Sequence, residues 1–550
     1  MRRRRPYGGG PGTTRHETRR RLFLLTLALV AGTLPAFAHT EFIQTITTSL
    51  GDTETFWVQI PESYDPQVPC PLLIGWHQLG ASHLEMKNAT EFDEIAGERG
   101  WIVMSHTGVT SSHWNNHATQ AHVVDVIRWL EERYAIDPLR IYMVGASMGG
   151  AAGMIFSNNH LNPAGPMVAA AASLSGIQDC ERRFYEQGIN NSMIAAFGGT
   201  PEQVPFEYHR NSAIVFADST VSMHVNARHL PLWLTFGHGD SDQVWREHAE
   251  DLYAVMEPVA DTVVLRESVY SGHGWGCAEE RLICDFLQRF TLDPLPKAIS
   301  INADAEGAWY WARLEMRNPL GDFARFDACH STANLMASTA PAVSQEIRVR
   351  MIHNVAGLEL DLASLEFPFE DDAFLVRWDA GDEGPAELAL LGVPARPEAI
   401  LKDGSLFAAW TYDESGMLVM TGDGEGEYLV FLDASSVDDS QRDGWRAFEH
   451  AFHAASIVRF DGAIPCLLPA GPALDWSLFD ALGRRVASGH EAARAGDERA
   501  MLLLPNSLSS GAYLLRLQPN RADPLALGEM AAGSRASTRP GIVRRVTIVR

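Results

Sequence analysis

The run Ile141–Gly150 reads IYMVGASMGG, an apolar strand that passes straight into Gly145-Ala146-Ser147-Met148-Gly149. A serine at a strand's end between two glycines fits the G-x-S-x-G nucleophile elbow, a sharp strand-to-helix turn that exposes the hydroxyl above a sheet. The flanking glycines leave room for the tight backbone. The turn also aims the N–H of the next residue, Met148, at a reacting carbonyl oxygen. An elbow needs a buried strand before it and a helix after it, so this one motif calls for an α/β domain.

The surrounding residues supply that domain. Over residues 39–296, strand patterns at Thr55–Ile60, Pro71–Gly75, Trp101–Ser105, Leu232–Phe236 and Thr262–Leu265 alternate with helical spacing. Val124, Ile127, Leu130 and Tyr134 repeat as one helix face, and Arg281–Phe290 reads as a closing helix. Such alternation predicts a mostly parallel sheet covered on both faces, with ligands at the carboxyl ends of the strands.

A serine nucleophile needs a base to take its proton and a carboxylate to orient that base, in the chain order Ser, acid, His. After the Leu232 strand comes Gly237-His238-Gly239-Asp240-Ser241-Asp242, and after the Val263 strand comes Ser271-Gly272-His273-Gly274-Trp275. Ser147, Asp242 and His273 therefore form the expected catalytic set. Asp240 is the alternative acid, and His238 is read as shaping its turn. A second oxyanion donor is expected on the loop after an early strand, Gly75-Trp76-His77-Gln78, where the Gln78 N–H would join that of Met148 and His77 would brace the loop. Trp76, Trp114 and Trp275 are candidate substrate-binding residues. This chemistry calls for no metal and no organic cofactor.

The segments PLLIGWH at 71–77, WNN at 114–116, VDVI at 124–127, IDP at 136–138, GASMGG and SGHGWG together resemble secreted polyhydroxybutyrate depolymerases and feruloyl-type esterases. These are lidless α/β-hydrolases, with prolyl oligopeptidase-like peptidases as neighbours. The resemblance spans about 250 residues. It implies a carboxylic-ester hydrolase with Ser147 as nucleophile, Asp242 as acid, His273 as base, and Gln78 and Met148 as oxyanion donors. The implied substrate is a small or polymeric ester. Such enzymes commonly carry His-Gly where this chain has His77-Gln78. A serine peptidase and a cell-surface binding protein with an inactive hydrolase fold remain as alternatives.

The flanks address the chain elsewhere. Arg2–Arg5 and Arg19–Arg21 precede the apolar stretch Leu22–Ala31, and Ala36-Phe37-Ala38 follows as a cleavage site, so residues 1–38 read as a signal peptide. Formal charge is −25, and near −32 without those 38 residues, which hold eight Arg and one Glu. That balance argues against nucleic acid or anionic lipid as a partner. No other run approaches transmembrane length.

Residues 297–435 show short period-two runs separated by turns and read as a β-sandwich-like region. Residues 436–471 read as a linker. The tail, 472–550, resembles the C-terminal sorting domain of type IX secretion substrates, through DALGRR, SGAYLLRL and the basic final strand VRRVTIV. It implies export to the cell surface or beyond through that machinery. Six cysteines stand at 70, 180, 277, 284, 329 and 466, with Cys277 and Cys284 close enough to bridge locally.

Overall fold

The computed structural model describes residues 40–432, except 189, 239–242, 332–344, 370–372 and 404, together with strand segments between 453 and 549. The expected signal peptide thus lies outside the described residues.

Eight strands form the first sheet: β1 (Thr40–Thr47), β2 (Thr53–Ile60), β3 (Cys70–Trp76), β4 (Ile102–His106), β5 (Ile136–Ala146), β6 (Ala170–Leu174), β7 (Leu232–Phe236) and β8 (Val263–Glu267). Their spatial order is β1-β2-β4-β3-β5-β6-β7-β8. The first two pairings along that order are antiparallel and the remaining ones parallel. The strand order, antiparallel at one edge and parallel beyond it, is that of an α/β-hydrolase sheet, as the elbow and the alternating pattern predict.

The helices are α1 (Glu85–Ala89), α2 (Phe92–Glu98), α3 (His117–Glu131), α4 (Ala152–Asn159), α5 (Cys180–Gln187), α6 (Asn191–Phe197), α7 (Pro205–Arg210), α8 (Gln243–Met256) and α9 (Glu280–Leu287). Strands β3, β4, β6 and β7 and the Ile141–Ala146 part of β5 are buried along almost their whole length, because helices cover both faces. Helix α3 starts earlier than its apolar pattern suggests. The Asn116 side chain caps it by accepting from the Thr119 N–H at 3.0 Å. It also ends before Tyr134, and its buried face is Val123, Val126, Ile127 and Leu130, with Val124 at the margin.

The remaining described sequence is strand-rich. A six-stranded sheet runs, in spatial order, Gly307–Trp309, Ala312–Met316, Val355–Asp361, Ala386–Leu391, Met417–Gly422 and Trp410–Tyr412. A seven-stranded sheet runs Ser405–Phe407, Pro397–Lys402, Glu425–Leu432, Ala373–Asp379, Glu346–His353, Ala324–Ser331 and Ala298–Ala303. Alternating burial along Ala312–Met316 and Ala324–Ser331 turns one face of each sheet into a shared core, which makes a sandwich. Trp309, Tyr310 and Trp311 belong to that core.

Toward the C-terminus, Leu474–Phe479, Arg485–Glu491, Gly511–Pro519 and Ile542–Val549 share one sheet with Ile457–Arg459. The stretch expected as a linker is therefore partly structured. It holds His453–Ala454, Ile457–Arg459 and Ala463–Leu468, and the last of these pairs with Glu498–Leu503.

The local bridge between Cys277 and Cys284 does not form; Cys284 is free, and both sulfurs are buried. The Cys277 sulfur faces the Gly274 carbonyl at 3.0 Å. Cys70, Cys180 and Cys329 are also free, and burial pushes the Cys180 and Cys284 thiols up to about 12. The Cys466 side chain lies outside the described residues.

Candidate active site

Ser147 closes β5 with φ at +53°, in the left-handed region that L residues enter only under constraint. The constraint comes from the glycines. A Cβ on Gly145 would stand 2.0 Å from the Gly149 carbonyl oxygen, and one on Gly149 would stand 2.5 Å from the Trp76 carbonyl oxygen. Only hydrogen fits at either place, so the chain turns sharply and lifts the serine off the sheet.

His273 arrives on the loop after β8, and its Nε2 lies 2.7 Å from Ser147 Oγ across 126 residues of sequence. That is the geometry for transferring the hydroxyl proton to the ring. Asp242 and the alternative Asp240, between β7 and α8 in the chain, lie outside the described residues. His238 is exposed, and its Nδ1 lies 2.9 Å from the Glu267 carboxylate, which suits a turn residue.

The loop after β3 departs from expectation in one respect. The Gln78 N–H donates to Glu85 Oε2 at 2.8 Å, and the Gln78 side-chain amide donates to Glu85 Oε1 at 2.9 Å. An N–H committed to a carboxylate cannot also receive an oxyanion. Among the described residues, the following N–H, that of Leu79, donates to no group. The Met148 N–H opens the short helical turn Ser147–Ala151, where first-turn donors lack partners within the turn. His77 braces the loop as expected, with ring nitrogens 2.7 Å from the Gln78 carbonyl and 2.8 Å from that of Thr107. Behind it His106 is wholly buried, and burial holds its ring down to about 3, so it stays neutral.

The three tryptophans expected at the substrate do not face it. Trp76, Trp114 and Trp275 expose 0%, 3% and 2% of their surface, so each is packing that shapes the site from behind. Trp114 donates to Ser192 Oγ at 2.9 Å, and Trp275 donates to Glu85 Oε2 at 3.0 Å. Asn115, beside Trp114, donates to the Met148 carbonyl at 2.6 Å and so ties the elbow to the loop after β4.

Two residues are new. Glu85, at the start of α1, gathers the oxyanion loop and the histidine loop onto one carboxylate. Trp245, on α8, stacks on His273 with ring centroids 4.4 Å apart and planes 28° from parallel. No motif marks either residue, although Trp245 stands three residues after Asp242. Helices α5 to α7, inserted between β6 and β7, pack Cys180, Phe184, Met193, Phe197 and Tyr208 around Met148.

No protein-family model and no curated protein matches the chain. Among solved structures it is similar to the fluorophosphonate-binding serine hydrolase FphF of Staphylococcus aureus, at 15% identity and a TM-score of 0.37, over 45% of this chain and 98% of that one. An S-formylglutathione hydrolase from Agrobacterium tumefaciens is 16% identical with a TM-score of 0.37, over 46% of this chain and 96% of its own. A ferulic acid esterase is 16% identical with a TM-score of 0.36, over 46% and 98%. These are likenesses of fold.

Proposed function

We propose that the protein is a serine hydrolase of carboxylic esters. The 2.7 Å approach of His273 Nε2 to Ser147 Oγ, on an elbow that holds the serine at positive φ, carries this reading. His273 takes the hydroxyl proton while Oγ attacks the ester carbonyl, and the carbonyl electron pair moves onto its oxygen. The Met148 N–H faces that oxyanion. Because the Gln78 N–H is bound to Glu85, we assign the second donor to Leu79. The tetrahedral adduct collapses, and His273 returns the proton to the departing alcohol. Water, deprotonated by the same ring, then cleaves the acyl-enzyme and releases the acid. Asp242 is our assigned acid for orienting His273.

Ser147→Ala tests the assignment. Hydrolysis of p-nitrophenyl acetate is expected to fall at least about 10³-fold, as loss of an activated nucleophile does. Activity that survives the substitution would refute it. Rates across p-nitrophenyl esters of increasing length, feruloyl esters, polyhydroxybutyrate and peptide amides then identify the substrate class.

We further propose export, with residues 1–38 removed and the tail read by secretion machinery. Among the described residues no helix is long and apolar enough to cross a membrane. N-terminal sequencing of the secreted protein is expected to begin at His39, and an uncleaved chain retained in the cytoplasm would contradict this.

A further inference from the structure

The indole of Trp245 lies over the proposed base at 4.4 Å, nearly parallel to it. The Arg183 guanidinium carbon lies over the same indole, 4.0 Å from its centroid. The indole therefore packs against both the imidazole and the guanidinium. Arg183 is itself 4% exposed, held on α5 with an Nη 3.7 Å from Glu186. Trp245 is half-buried and packs against the apolar cluster around Met148. It therefore has little freedom to leave the ring it covers.

A neutral imidazole becomes a cation as it accepts the serine proton, and an indole face attracts a cation more strongly than any other side-chain ring. Resting on the hydrolase reading above, we propose that Trp245 is the positioning residue of His273. It fixes the imidazole plane toward Ser147 and favours the imidazolium formed during attack. Arg183 holds the indole in place. Among the described residues, the charged and titratable groups near this stack include Arg183 and Glu186 from α5, and His248 from α8, whose Nε2 lies 3.3 Å from Glu186. Ser147 faces the ring from the elbow, and Asp240 and Asp242 precede α8 in the chain.

The full chain carries the test. Trp245→Leu is expected to lower the acid-limb pKa of kcat/KM by about half a unit, the scale of one exposed cation–π contact. It should lower kcat roughly tenfold while KM changes less than about twofold, since the group acts on the base and not on substrate. Trp245→Phe, which keeps a ring face, should restore most of both. A second readout needs no substrate. Imidazolium quenches an indole in contact with it, so wild-type tryptophan emission should drop as His273 protonates, and that step should vanish in Trp245→Phe and in His273→Gln.

A folded Trp245→Leu enzyme with wild-type acid limb and kcat overturns the proposal, as does a wild-type emission profile identical to that of Trp245→Phe after scaling. If Trp245→Leu fails to fold, the emission step and the Phe variant decide. The emission step can be present in a protein that hydrolyses no ester, so failure of the hydrolase reading and failure of this one are separable.

Discussion

Glu85 shows how much one side chain can organise without touching a reacting atom. Its carboxylate accepts from the Gln78 N–H, the Gln78 amide and the Trp275 indole, so it joins the oxyanion loop to the loop that carries His273. Glu85→Gln replaces one acceptor oxygen by a donor facing donors, which must force one of the two loops to move. The expected result is a kcat lowered by about 10- to 100-fold, with KM nearly unchanged and thermal stability reduced by no more than about 3 kcal/mol. Steady-state kinetics with a short p-nitrophenyl ester and a melting curve check it; an unchanged kcat would remove Glu85 from the positioning set. The residues legible in sequence at this scale were those whose chemistry sits in a local motif. Ser147, His273 and the bracing His77 follow from glycine spacing and strand ends. Glu85 and Trp245 act through contacts spanning up to 190 residues, and no local spacing encodes such a contact. The expected role of Gln78 failed for the same reason, because its partner could not be read from the loop itself.

At the scale of elements, caps and composition decided what could be read. Strands β3, β4, β5 and β7 are apolar runs of ordinary length and stand out. Strand β6 reads Ala-Ala-Ala-Ser-Leu, has little β-preference of its own, and is buried in the sheet only because its neighbours require it. Strand β1 is an edge strand with exposed alternate residues, and its sequence TEFIQTIT resembles a polar loop as much as a strand. Helix α3 owes its start to Asn116, whose side chain caps the Thr119 N–H and also donates to the Ala196 carbonyl at 3.0 Å, tying α3 to α6. Asn116→Ala removes both bonds and should cost about 1–3 kcal/mol, more than a cap alone. Asn116→Asp keeps the cap but loses the tether, so it should fall between. Chemical denaturation of the three proteins orders them, and an Asp variant no more stable than Ala would show that the cap contributes nothing.

Across the whole molecule, the change of pattern near residue 297 marks a change of architecture but not a boundary between cores. Leu161, Met167 and Met223 of the α/β domain sit in the same buried cluster as Ile299, Ile301, Trp309 and Phe326 of the sandwich. Polar groups cross as well. The Asn302 N–H donates to the Asn226 side chain at 2.7 Å, and the Asn226 amide donates back to the Asn302 carbonyl at 3.0 Å. Arg210 reaches across to Asp304, its Nε 2.8 Å from a carboxylate that is itself buried. Periodicity reports which face of each strand is apolar but not which neighbour covers it, so this seam was invisible in sequence. A chain ending at Pro296 would return three large apolar side chains to water, each worth about 1.5–3 kcal/mol when fully buried, and would take Asp304 from Arg210 and Asn302 from Asn226. Its melting temperature should therefore fall by on the order of 10 °C relative to the α/β transition of the full chain, with increased binding of an apolar dye. Equal melting temperatures would mean that the α/β domain closes its core alone and that the sandwich adds only a surface.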